Sequence, residues 1–215
     1  MKCLAIAKKD LLLELRSKNM INFMILFSLV TLVLFSYTMS FADLQSIAPS
    51  LLWFIFIFVG MLGLSRAFIR EKELGTLDGL KIAPIQANSI LIGKIIFNLI
   101  LIYAIQIIIF PLSIIFFDIS VKNPFIAFLV LTLGNFGFVV IGSMFSIFII
   151  NAKVKELLIP VLFLPIATPL LIVSTIALKK SFEGLVISNE IILIATYIII
   201  MSTIAMLTFD YALEE

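Results

Sequence analysis

Six apolar stretches, each long enough to cross a lipid bilayer, constrain this chain more than any other feature. The hydrocarbon core is about 30 Å thick and takes about 20 apolar residues in helical form. Stretches of that kind run over Met20–Phe41, Pro49–Phe68, Ile90–Phe117, Pro124–Ile150, Leu157–Leu178 and Glu190–Phe209. Lipid offers no hydrogen bonds, so a spanning segment must satisfy its own backbone, and a helix does so within one segment. Charged residues are 13% of the 215, against about 25% in soluble domains, while 63% are hydrophobic. A chain of this balance cannot bury its apolar surface in a water-soluble core. The expected fold is an all-α integral membrane protein with six transmembrane helices. No Gly/Ser-rich or Pro-rich linker and no internal repeat divides it, so residues 1–215 read as one membrane domain. The third stretch is long enough to tilt, with a kink expected at Pro111. The fifth holds Pro160, Pro165 and Pro169, which cannot all lie in a straight helix.

Charge distribution predicts orientation, because Lys and Arg accumulate in cytoplasmic loops. Lys2, Lys8, Lys9, Arg16, Lys18, Arg66, Arg70, Lys72, Lys81, Lys94, Lys153 and Lys155 fall on one side; Lys122, Lys179 and Lys180 fall on the other. The first side is therefore read as cytoplasmic, and it carries both termini. The net charge of +2 gives no sign of nucleic-acid binding.

Several chemistries lack their residues. There is no histidine, which removes the usual zinc sites, Ser-His-Asp triads and common haem ligation. Cys3 is the one cysteine, so no disulfide forms within the chain. It reads as an ordinary thiol in an amphipathic segment, the alternative being a lipidated or reactive one. Gly93-Lys94 is the one Gly-Lys pair; Ile95 follows it, and Asn88 stands where a phosphate-binding loop needs its first glycine. The early lysines and the long apolar run after them do not match a cleavable signal, and Lys2 does not match a myristoylation site.

Residues 1–19 read as an interfacial helix. Leu4, Ala7, Leu11 and Leu15 share one face and Lys2, Lys9 and Arg16 the opposite one, with Leu13 spoiling the polar side. A plain charged tail that sets topology is the other reading. Within the spans, polar residues are few. Asn135, in Gly134-Asn135-Phe136-Gly137, reads as helix-packing glue rather than a path lining. Asp118 and Glu190 read as hydrated anchors at span ends. No charge near a bilayer centre suggests an ion-coupled carrier.

The longest polar break is Arg66 to Pro84. Arg70-Glu71-Lys72-Glu73 alternates in sign, Gly75 and Gly79 weaken helix, and Pro84 ends it. Leu74, Leu77 and Leu80 make a short apolar ridge that suits either a groove in a soluble subunit or the membrane surface.

The string Arg70-Glu-Lys-Glu-Leu-Gly-Thr-Leu-Asp-Gly-Leu-Lys-Ile-Ala-Pro84 resembles the first cytoplasmic loop of ABC-2-type transporter permeases. More narrowly, the chain resembles the CcmB family, permeases of the cytochrome c maturation or haem-export system. Lys9-Asp10-Leu-Leu-Leu-Glu14-Leu-Arg16 is similar to that family's N-terminal signature, as are Gly93-Lys94 and the run Leu157-Leu-Ile-Pro160 to Pro169 to later ones. The likeness covers nearly the whole chain. It implies that residues 70–88 are a cytoplasmic coupling segment docking on a separate CcmA-like ATPase, where ATP binds. Arg70, Glu71, Glu73, Gly75, Leu77, Asp78, Leu80 and Pro84 would form or shape it. Independently of the resemblance, Pro160, Pro165 and Pro169 read as a kinked helix, with a hinge that responds to the ATPase as the functional reading. The other implied partners are CcmC-like, CcmD-like and CcmE-like proteins and a second permease copy. The implied location is a bacterial inner membrane or the mitochondrial inner membrane. The subunit itself is expected to be non-catalytic and to leave haem iron to other subunits. Two other functions fit the residues: an ABC-2-type exporter of a lipid, polysaccharide or drug, and an assembly scaffold that transduces no energy.

Overall fold

A computed structural model describes residues 2–38, 44–66, 75, 79, 85–148 and 155–214. Among these residues the regular structure is all helical, without strands, and forms seven long helices: α1 (Lys2–Ser17), α2 (Asn19–Thr38), α3 (Leu44–Arg66), α4 (Ala87–Phe116), α5 (Pro124–Phe148), α6 (Lys155–Glu183) and α7 (Ser188–Glu214). Helices α2 to α7 are each long and apolar enough to cross a membrane. They correspond one to one with the six expected spans.

Helix α5 is the centre, packing against α3, α4, α6 and α7; α2 sits at the edge against α3 and α4. One buried apolar cluster runs through all seven helices. The outward faces are also apolar: Phe23, Leu26, Val30, Ile107, Ile115, Ile199 and Leu207 are exposed. In water such surfaces would drive aggregation; in lipid they are solvated. Phe138 and Phe163 meet edge to face, centroids 4.6 Å apart, at the α5–α6 contact.

Glycines let the helices approach closely, as in other membrane bundles. A Cβ on Gly60 would lie 2.4 Å from the Phe138 ring, and one on Gly142 would lie 2.1 Å from Leu64 Cδ1.

Helix ends differ from the hydropathy reading in physical detail. Helix α3 begins at Leu44, ahead of Pro49, which lies inside it. Pro49 lacks the N–H that would reach Gln45 O, so the helix gives up one bond in its second turn. Gln45 there makes a two-way contact with the α4–α5 loop: Gln45 Nε2 donates to Ser120 O (2.8 Å) and Ser120 N donates to Gln45 Oε1 (2.9 Å). Helix α4 passes through Pro111 without interruption. Helix α6 likewise carries Pro160, Pro165 and Pro169 in one continuous helix. It ends at Gly184, whose φ of 76° lets the chain reverse.

Candidate functional site

The N-terminal helix does more than lie beside the bundle. Its inward face is Ile6, Ala7, Asp10 and Glu14, while Leu4, Leu12 and Leu15 are exposed. The face that docks is thus not the leucine face found from periodicity; of that set, Ala7 is buried and Leu11 half-buried. The reason is electrostatic. Asp10 Oδ2 receives the Lys94 ammonium at 2.8 Å, and Lys94 is only 1% exposed. Lys9 also approaches Asp10, at 3.3 Å, from the solvent side.

One helical turn on, Glu14 does a second job. Its Oε1 accepts from the backbone N–H groups of Met20 (2.7 Å) and Ile21 (3.1 Å), in the first turn of α2. The opening N–H groups of a helix have no intrahelical acceptor, and the helix dipole favours an anion there. The elbow between α1 and α2 is a single residue, Lys18, with φ 54°; its N–H donates to Glu14 O at 2.6 Å.

Gly93 completes the contact. A Cβ at that position would fall 2.9 Å from the Cys3 carbonyl oxygen and 2.9 Å from Ile6 Cβ, so only glycine admits α1 this close. Sequence reasoning counted Lys94 among loop charges and missed this pair. The available signal was Asp10 and Glu14 four residues apart, on the face away from most of the basic residues.

Deeper in the bundle, α4 and α5 share a polar seam. Gln106 Nε2 donates to Thr132 Oγ1 (3.0 Å) and Phe128 O (3.3 Å), and Asn135 Nδ2 donates to Gln106 Oε1 (2.8 Å). Tyr103 donates to Thr132 O at 3.1 Å. Asn135 therefore bonds across helices, as expected of packing glue. Near it, Trp53 Nε1, Ser174 Oγ and Asn135 Oδ1 are buried without partners. Both amide atoms of Asn98 share that condition.

Along α6, proline removes the N–H groups that would reach the carbonyls of Glu156, Val161 and Pro165. Side chains bond carbonyls beside these: Thr168 donates to Leu164 O (2.7 Å), and Tyr197 of α7 donates to Ile166 O. At the opposite end of the bundle, Lys180 and Glu190 pair at 2.6 Å, so Glu190 is an ion-paired link between α6 and α7 and not merely a hydrated anchor. Asp118 is exposed, with φ 48°, just past the end of α4.

Of the expected coupling residues, the structure describes Gly75, which is exposed in a turn with φ 66°. That backbone conformation favours glycine. Arg70, Glu71, Glu73, Leu77, Asp78, Leu80 and Pro84 lie outside the described residues. Among described residues no cluster of His, Cys, Asp and Glu is suited to a metal ion.

A bundle of six apolar helices with a docked N-terminal helix defines a multi-pass α-helical membrane protein. Within that class, the chain belongs to the CcmB protein family, whose profile matches residues 1–215. It is also 29% identical over 214 residues to heme exporter protein B of Rhodobacter capsulatus, covering 97% of this chain and 95% of that protein.

Proposed function

We propose that this chain is the membrane permease subunit of an ATP-driven haem-export complex serving c-type cytochrome maturation. The observation that carries the proposal is full-length membership of the CcmB family, joined to a relative named as a heme exporter. The subunit performs no chemistry of its own. It converts ATP turnover in a CcmA-like partner into rearrangement of the spans, so that haem or a haem-loaded CcmE-like chaperone is handed on or released. Absence of histidine in the chain supports haem being held by other subunits, a CcmC-like protein foremost.

The basic end of the bundle faces the cytoplasm or matrix, with both termini. Residues 70–88 meet the ATPase there, with CcmD-like and second permease subunits completing the assembly. Arg70, Glu71, Glu73, Gly75, Leu77, Asp78, Leu80 and Pro84 shape that contact. The membrane is a bacterial inner membrane or the mitochondrial inner membrane.

Purification of the complex in mild detergent tests this reading. Leu77→Asp and Asp78→Lys are expected to weaken ATPase association by about tenfold or more, as loss of an interface hot spot does. Cytochrome c maturation is expected to fall with it. Unchanged association and turnover in both variants would remove the coupling role. An ATPase that binds, with normal cytochrome maturation after deletion of this subunit, would point to another cargo.

A further inference from the structure

The N-terminal helix is tied to two different spans through acidic residues one turn apart, and the proposed function leaves these ties unused. Asp10 holds Lys94 of α4, and Glu14 holds the first turn of α2. We propose that α1 and the opening turns of α4 form one rigid strap, with Asp10 and Lys94 as positioning residues, which carries movement at the start of α4 into α2.

Three observations support the strap. First, Lys94 has the reach to extend its ammonium toward the membrane surface, as long cationic side chains at helix ends commonly do. Instead it is 1% exposed and directed at Asp10. Separating the pair inside the bundle leaves charges in a medium that solvates them poorly, so the two helices resist moving apart. Second, Gly93 places the α1 backbone directly on α4, since even a methyl group would fall 2.9 Å from the Cys3 carbonyl. Slippage of α4 by one turn would replace Gly93 under Cys3 and Ile6 with Ser89, Ile90 or Phe97, each of which carries the Cβ that this contact excludes. The pair and the glycine therefore fix register as well as contact. Third, the elbow at Lys18 leaves no slack between α1 and α2, and Glu14 binds two of the N–H groups in the first turn of α2.

The chain ahead of α4 is continuous with it, with Pro84 ten residues before Lys94. This part of the proposal rests on the reading of residues 70–88 as the ATPase contact. A push on that segment then reaches α4 and, through the strap, α2, without passing through the central helix α5.

Spin labels at Lys8→Cys on α1, Ile100→Cys on α4 and Phe23→Cys on α2, in a Cys3→Ser background of the full chain in nanodiscs, test the strap by paired distances. All three labelled side chains are exposed. One narrow α1–α4 distance is expected in the parent. Broadening is expected in Asp10→Lys, and a return to one narrow distance in Asp10→Lys/Lys94→Asp. If Asp10→Lys does not accumulate in the membrane, the near-isosteric Asp10→Asn takes its place, with the same broadening expected. Narrow distances in every Asp10 variant overturn the strap. With the ATPase added, Asp10 variants are expected to bind it as the parent does while ATP-driven output falls about tenfold. Unchanged output alongside broadened distances overturns the transmission role. Failure of the parent to bind the ATPase overturns the functional reading alone, because the distances are read without nucleotide.

Discussion

Lys18 carries two helices on one unfavourable backbone conformation. Its φ of 54° places a residue with a Cβ where glycine is the easier occupant. Lys18→Gly is expected to stabilise the protein by about 0.5–1 kcal/mol, read as a higher thermal midpoint in detergent. Gly134 is the reverse case. A methyl group there would fall 2.3 Å from Trp53 Cη2 and 3.0 Å from Ser174 Oγ. The indole is planar and buried among α3, α5 and α6, so Gly134→Ala is expected to cost about 1–3 kcal/mol by overpacking. At Gly142 the obstacle is Leu64, whose rotamers give it somewhere to go, and the same substitution should cost less. A thermal midpoint for Gly134→Ala no lower than for Gly142→Ala would show that Trp53 is not fixed there. At this scale little was readable in the sequence. Gly134 and Asn135 stood out as a small-polar motif, but Lys94 looked like a loop charge. Its partner is 84 positions away, and only the docking of α1 reveals it.

The helices themselves were far more readable. Each apolar run is at least as long as a bilayer requires, so the six spans follow from length and hydropathy alone, and only their ends move. Helices α4 and α7 show how far the ends move. The 30 residues of α4 make about 45 Å of helix, well beyond a core of about 30 Å. Hydropathy placed this helix to within three residues at either end, whereas α7 runs on from Phe209 to Glu214, beyond the apolar run that marks its span. Helix α6 shows another limit. Three prolines predicted a span that is not straight; the chain remains helical through all of them, so a bend and not a break is what they can impose. Bonds from Thr168 and Tyr197 fall on carbonyls beside the freed ones, the kind of local support that lets proline persist in membrane helices. A hinge at this stretch predicts a specific result for Pro165→Ala: ATP turnover persists while cytochrome c maturation fails. Normal maturation in that variant would show that Pro165 shapes the helix without moving. The α4–α5 seam gives a second element-scale expectation. Asn135→Ala removes one interhelical bond and should cost about 0.6 kcal/mol, the usual worth of such bonds within membranes. Gln106→Leu should cost more, since it removes the bonds to Phe128 O and Thr132 as well as the one from the Asn135 amide.

For the whole molecule, the unequal ends are the main physical fact. By the order of the spans along the sequence, twelve of the fifteen Lys and Arg residues fall in segments assigned to the side of α1, and Lys122, Lys179 and Lys180 in those assigned to the other. At that second end Lys180 is tied to Glu190, so its free positive charge is smaller still. The strap at the first end buries Asp10 and Glu14 and leaves Lys8, Arg16 and Lys18 exposed. Docking α1 buries Asp10 together with its partner Lys94, so the charges α1 displays at this surface are mainly its bases. Exposed bases beside a bilayer are attracted to the anionic lipid of a cytoplasmic leaflet by about 1 kcal/mol each. Insertion bias and surface attraction thus favour the same orientation. Single cysteines at Lys8 and Lys122, in a Cys3→Ser background, should report it directly. An impermeant maleimide applied to intact spheroplasts is expected to label Lys122→Cys at once and Lys8→Cys only after permeabilisation. The reverse pattern would place residues 70–88 outside the cell, away from any cytoplasmic ATPase, and the permease reading would fall with the orientation.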